Sequence, residues 1–247
     1  MPPPVQAPKR RDTSTASNPL AEVPRWVWFA SAGVVAGAVI ILLLLGSSKT
    51  KQSAIDTSGV KAAMLNAGCT YRDVAPLPPK HDPTGTNGGY HEDVPSLTTP
   101  TKGLWSTSPP SGGAHYPLWA IWGFYTTTVN PRQVVHNEEH GGVILWWGPK
   151  VSSATVDQLH AFYNQQPIGV FGTPYATLGD KIAMTAWTGG DPGKAYYVKG
   201  YYGMGHIAIC SSFNQKAFAA FRDAFRGKGP EGIPLKPYDE PGQGPSS

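Results

Sequence analysis

Apolar residues along the chain form one long unbroken run and several short ones. The long run is WVWFASAGVVAGAVIILLLL, residues 26–45, without a single charge. At 1.5 Å rise per residue, a helix of that length spans about 30 Å, the thickness of a bilayer's hydrocarbon core. Trp26 and Trp28 stand at one end, where amphipathic rings favour the membrane interface. Arg25 and Lys9-Arg10-Arg11 precede the run, and Lys49 and Lys51 follow it. This balance predicts a single-pass anchor in lipid at the plasma membrane, with the N-terminus cytoplasmic and the rest outside. The alternative is a cleaved signal peptide. Against it, the run exceeds an ordinary signal core, and no A-x-A-like site follows Leu45.

The shorter runs predict a folded domain. GGVILWW, residues 141–147, is apolar on both faces and reads as a fully buried strand. In residues 152–167, Val156, Leu159, Phe162 and Tyr163 recur at helical spacing, with Ser152 or Ser153 as the cap and Pro167 beyond the end. KIAMTAW (181–187) and MGHIAIC (204–210) read as strands. Residues 214–227 place Phe218, Phe221 and Phe225 on one stripe and stop at Gly227.

Between the runs, residues 46–59 form a polar linker with some helical character. Residues 69–113, dense in Pro, Gly, Thr and Asp, read as loops with short extended pieces. The Pro/Gly-rich C-terminus drapes over the domain or frays. The first twenty residues hold five prolines and too little apolar content for a core, so they read as disordered. The predicted organisation is a cytoplasmic tail at 1–25, a transmembrane helix at 26–45, a linker at 46–66, an extracytoplasmic domain at 67–235 and a flexible tail at 236–247. Consecutive strands with separated helices predict an α+β domain, a small, mainly antiparallel sheet with helices on one face. A thioredoxin-like or ferredoxin-like variant is the alternative, and strand order stays open.

Charge adds little to this picture. Twenty basic residues against sixteen acidic give +4 over 247 residues. Residues 1–25 hold 4 − 2 = +2 of that, and the remaining 16 − 14 = +2 is spread thinly. No basic stripe with interleaved aromatics occurs, which argues against a nucleic-acid partner. The only cysteines, Cys69 and Cys210, both fall on the predicted outer side, where two thiols pair.

The candidate chemistry lies in the histidines. His136 and His140 stand four apart, so on a helix they share a face and converge on one metal. His136-Asn137-Glu138-Glu139-His140 also fits the H-x-x-E-H pattern of inverted zinc peptidases, with a glutamate as general base. Gly141-Gly142 and the strand beyond leave room for little more than one helical turn. If the segment is extended, His136, Glu138 and His140 share a face and Glu139 points away. His115 closes PPSGGAH, whose glycines permit a tight turn aimed at a site. His91, before Glu92-Asp93, is a further candidate ligand. Several histidines with a carboxylate suit zinc, copper or iron. His160 reads as an ordinary helical histidine, and His81 has no partner in the local sequence. A softer copper cluster of Met204, His206 and Cys210 on one strand face loses its thiolate if Cys210 is disulfide-bonded.

From residues 67–69 to the Gly229-Pro230-Glu231-Gly232 stretch, the chain resembles the bacterial envelope family known as domain of unknown function 3105. The resemblance rests on Pro109-Pro110-Ser111-Gly112-Gly113-Ala114-His115, Trp119, Gly123-Phe124-Tyr125 and Val135-His136-Asn137-Glu138-Glu139-His140-Gly141. Glu138 replaces a leucine of the family pattern, which makes Glu139 the matching carboxylate. The resemblance implies a membrane-anchored outer domain and names no activity.

Three functions are therefore in play. The first is a membrane-anchored protein binding copper or zinc through His115, His136, Glu139 and His140, with His91 as an additional ligand. The second is an accessory subunit of an envelope membrane complex, docking other membrane proteins through Tyr196, Tyr197, Tyr201 and Tyr202. The third is a zinc-dependent hydrolase with Glu139 as its base.

Overall fold

The computed structural model describes residues 57–76, 103–189, 203–233, 235–237 and 239–245. The apolar run at 26–45, the tail at 1–25, His81, His91 and the four tyrosines of 196–202 lie outside these residues. Among the described residues, no helix is long and apolar enough to cross a membrane.

The elements in chain order are α1 (Ser58–Asn66), β1 (Thr70–Val74), α2 (Pro131–Glu139), β2 (Val143–Trp147), α3 (Ser153–Gln165), β3 (Val170–Pro174), β4 (Ile182–Thr188), β5 (Met204–Cys210) and α4 (Gln215–Phe225). The strands form one mixed sheet in the order β1-β5-β4-β2-β3. Three pairings are antiparallel; β2 and β3, joined through α3, are parallel. This is the α+β domain the run pattern predicts.

Strand β2 sits deep in the sheet, and all five of its residues are buried. Val143, Leu145 and Trp147 meet Leu159 and Phe162 of α3 and the Phe218, Phe221, Phe225 stripe of α4. Ile144 and Trp146 meet Trp122, Val134 and Phe171 on the opposite face. Each such side chain contributes about 1.5–3 kcal/mol by leaving water, so the two-sided burial of β2 is a principal stabiliser. Asn214 caps α4 by accepting from the Ala217 amide at 3.0 Å, and Ser152 caps α3 through Thr155 at 3.2 Å.

Four features depart from the sequence expectation. The segment 131–139 is a full helix and not a single turn, because it starts upstream at the Asn130 cap and Pro131. It packs on the face opposite α3 and α4, so helices cover both faces of the sheet. Strand β3 goes unread in the sequence because Gly172 and Pro174 interrupt its apolar pattern; Gly172 is held by the ring of Phe124, which sits where a Cβ would be. The stretch taken as linker ends in α1, whose Met64 is fully buried in the core.

The cysteines pair as expected, Cys69 with Cys210, closing a sequence separation of 141 residues. In the chain-entropy description a loop of that length is stabilised by about 5 kcal/mol. The bridge joins the start of β1 to the end of β5, strands already paired Thr70 to Ile209.

Candidate metal centre

Helix α2 and the loop before it build the site together. The Asn130 side chain accepts from the Arg132 amide at 3.0 Å and Pro131 opens the helix, an ordinary N-terminus. One turn-and-a-bit later, His136 and Glu139 stand three apart on one face. The 115–122 loop is tied to this helix. The Tyr116 amide donates to the Arg132 carbonyl at 3.1 Å. The Asn137 amide group grips Ala120 at both ends, accepting from its N–H and donating to its carbonyl at 2.9 Å each. Gly112 and Gly113, at φ 117° and 112°, turn the chain so that His115 enters beside α2.

His115 Nε2 lies 2.9 Å and His136 Nε2 3.8 Å from the same oxygen, Glu139 Oε2. The three donor atoms all lie within 4.8 Å of one another. The residues are 0 %, 4 % and 2 % exposed, so a guest here is stripped of bulk water. Each imidazole is fixed from behind. His115 Nδ1 donates to the Gly113 carbonyl at 2.8 Å, and His136 Nδ1 donates to the Tyr116 carbonyl at 2.9 Å. Because a carbonyl only accepts, both Nδ1 atoms carry hydrogen and both Nε2 atoms face the carboxylate. Histidine ligands of metals are typically oriented this way.

Charge follows from the same geometry. Burial drives His136 down, the neighbouring His115 adds to this, and its pKa falls to about 3, so it is neutral in physiological conditions. Burial also acts to lower His115, but the Glu139 carboxylate outweighs it and holds this imidazole above its ordinary value. His115 and Glu139 are thus electrostatically coupled across their 2.9 Å contact. A divalent ion between them would be met by both groups, with neutral His136 as a third donor. A tetrahedral ion with bonds of about 2.0–2.1 Å needs donor separations of roughly 3.3 Å. The 2.9 and 3.8 Å edges bracket that value. The two imidazole centroids lie 4.9 Å apart. Two imidazoles and a carboxylate suit a first-row divalent cation.

The other predicted residues go elsewhere. His140 packs edge-on against His136, centroids 4.8 Å apart, and tilted against Trp119 at 4.7 Å. Its nitrogens face different partners, Nε2 toward Glu231 and Nδ1 toward Asp239, each at 3.5 Å. The H-x-x-E-H pairing of His136 with His140 is therefore not formed. Glu138 turns into the sheet, where Thr185 donates to it, and Thr185 in turn accepts from Trp146 Nε1 at 2.7 Å. Burial raises the Glu138 pKa well above its ordinary value, against the lowering effect of the Thr185 hydrogen bond. Glu139 is thus the carboxylate of the cluster. His160 stacks on Phe124 at 4.6 Å, an ordinary packing role. The copper reading of β5 loses Cys210 to the disulfide. His206 instead contacts Asp73 at 2.6 Å and Thr188 at 2.8 Å.

Glu231 and Asp239 were not singled out in the sequence. The signal for Glu231 is the Gly229-Pro230-Glu231-Gly232 stretch at the end of the region of resemblance; Asp239 lies beyond it. The chain belongs to the family described as "Protein of unknown function (DUF3105)", whose profile matches residues 96–236, more than half of the chain. That span contains His115, His136, Glu139, His140 and Glu231. Neither the curated proteins nor the solved structures include a match.

Proposed function

We propose that this protein is a single-pass membrane-anchored protein whose extracytoplasmic domain binds a divalent transition metal ion, zinc or copper, through His115, His136 and Glu139. The anchor in this reading is the uncharged run at 26–45. The observation that carries the metal assignment is the convergence of three donor atoms within 4.8 Å, with both imidazoles held at Nδ1 by backbone carbonyls. Two pinned rings and a carboxylate are already arranged for a cation, so little ordering cost remains when it binds. Burial of all three groups suits tight holding of an ion. Glu139 lies between the two histidines in a ligand's position, which favours metal holding over its use as a general base.

The test is metal analysis of the untagged full chain, purified in detergent and exposed to zinc or copper. The wild type retains metal after desalting and melts higher with it. The double variant His136→Ala with Glu139→Gln loses the ion bound at this cluster. A wild type that keeps no metal, and melts equally with and without it, overturns the proposal and leaves an accessory subunit with a purely structural cluster.

A further inference from the structure

We propose a second cation position beside the first, made by His140 and Glu231, with Asp239 orienting His140. It rests on the reading of His115, His136 and Glu139 as the first position. His140 Nε2 and Glu231 Oε2 stand 3.5 Å apart. That exceeds the 2.7–2.9 Å of an ordinary charge-assisted hydrogen bond, roughly. It is close to the separation of about 3.3 Å between two ligands of one tetrahedral ion.

Behind His140, Asp239 is wholly buried, and neither of its oxygens accepts a hydrogen bond of ordinary geometry. Its neighbours are His140 Nδ1 at 3.5 Å and the indole of Trp122. A buried carboxylate left so poorly satisfied is costly and calls for an explanation. A cation on His140 Nε2 provides one. It fixes the proton on Nδ1 and makes that N–H a stronger donor to Asp239, the carboxylate–histidine–metal arrangement.

The two positions share a wall. His136 and His140 rings are 4.8 Å apart, and the charge of Glu231 reaches His115 as well as His140. Paired ions in two-metal centres lie about 3.5–4 Å apart, commonly with a carboxylate between them. In this proposal Glu231 takes that role, since its charge acts on His140 and on His115. At 31 % exposure it is also the most open donor of the set, so solvent reaches the pair from its side.

Backbone packing delivers these residues. The Gly227 amide donates to the Gly141 carbonyl at 2.8 Å, which fixes the segment leading to Glu231 against the end of α2. The C-terminal residues then strap across Trp122. Its amide donates to the Gln243 carbonyl and its carbonyl accepts from Gly242, both at 2.8 Å, while the Asp239 carbonyl accepts from Gly169 at 2.9 Å. One imidazole with a hard carboxylate suits zinc, iron(II) or manganese(II) at this second position.

The experiment is zinc stoichiometry by mass spectrometry on the untagged full chain, with a titration to resolve successive binding steps. The wild type holds two ions per chain. His140→Gln and Glu231→Gln each hold one, and Asp239→Asn keeps both but weakens the second step by about 10–100-fold. Glu231 lies in a partly exposed loop, so its variant reports even if a change at buried His140 prevents folding. A wild type with one ion, unchanged by Glu231→Gln, overturns the second position and leaves the first. A wild type with two ions that persist in both Glu231→Gln and His140→Gln overturns it as well. A wild type with none overturns both.

Discussion

Replacing Gly141 by alanine isolates the contact on which the whole site depends. Gly141 ends α2 at φ 99°, a region that alanine rarely adopts. A Cβ there would lie 2.9 Å from Gly227 Cα and 3.0 Å from Gly229 N, both backbone atoms that cannot swing aside. The conformational strain costs about 1–2 kcal/mol. The crowding, treated as overpacking, adds about 1–3 kcal/mol. The sum, about 2–5 kcal/mol, lowers the melting temperature by roughly 4–20 °C for a domain of this size. Gly68→Ala is the control, because Gly68 has φ 77° but nothing within 4 Å of the added Cβ. It carries the strain without the crowding, and melts only roughly 2–8 °C low. The assay is thermal melting of both variants by near-ultraviolet circular dichroism, with zinc retention measured alongside. Gly141→Ala also loses zinc, because the displaced 227–231 segment takes Glu231 with it and disturbs the end of α2 at Glu139. If Gly141→Ala melts no lower than Gly68→Ala and holds as much zinc as the wild type, the close backbone approach does not organise the site.

Two further outcomes follow from polar groups that are not metal donors. The Asp73 carboxylate accepts from His206 Nδ1 at 2.6 Å and from the Tyr71 hydroxyl at 2.7 Å. Burial acts to raise its pKa, but these two partners together hold it below the ordinary 3.8. A carboxylate depressed in the fold stabilises above its unfolded value and loses that contribution as pH falls below it. Asp73→Asn therefore costs about 1–2 kcal/mol near neutral pH, discounted for its part exposure, and the gap to wild type closes below about pH 4 in denaturant titrations. A gap that stays constant down to pH 2 would refute the assignment. Glu138, whose pKa burial raises, tests the opposite case. Glu138→Leu restores the apolar side chain of the resembling pattern and shifts stability by less than about 1 kcal/mol, whereas Glu138→Ala opens a cavity costing about 2–4 kcal/mol. Equal losses in the two variants would show that the carboxyl group itself, and not the volume it fills, holds α2 to the sheet.

The sequence made the regular core legible and the site only partly so, for identifiable reasons. The segments 141–147, 152–167, 181–187, 204–210 and 214–227 carry strong apolar periodicity, and each became the predicted strand or helix. The histidine spacing carries no sign of where helix α2 begins; Asn130-Pro131 is its cap signal. Of its two adjacent glutamates, periodicity alone could not choose. The fold resolves them by sending Glu138 to Thr185 inside the sheet and Glu139 to the histidines outside it.

His140 shows the limit of spacing arguments. Four residues after His136, it does lie next to it, as helical geometry requires. Yet a shared helix face fixes only where a ring starts, not where its nitrogens point. That is decided by Glu231 and Asp239, which lie 91 and 99 residues further on. Those two arrive through a contact of glycine on glycine at Gly141 and Gly227 and through a proline-rich strap, neither of which leaves a hydrophobic period in the chain. The informative signal is instead the clustering of glycines beside charged residues, in Glu139-His140-Gly141-Gly142 and Gly227-Lys228-Gly229-Pro230-Glu231-Gly232. Paired glycines permit backbones to touch, and backbones that touch bring their charged neighbours to one place.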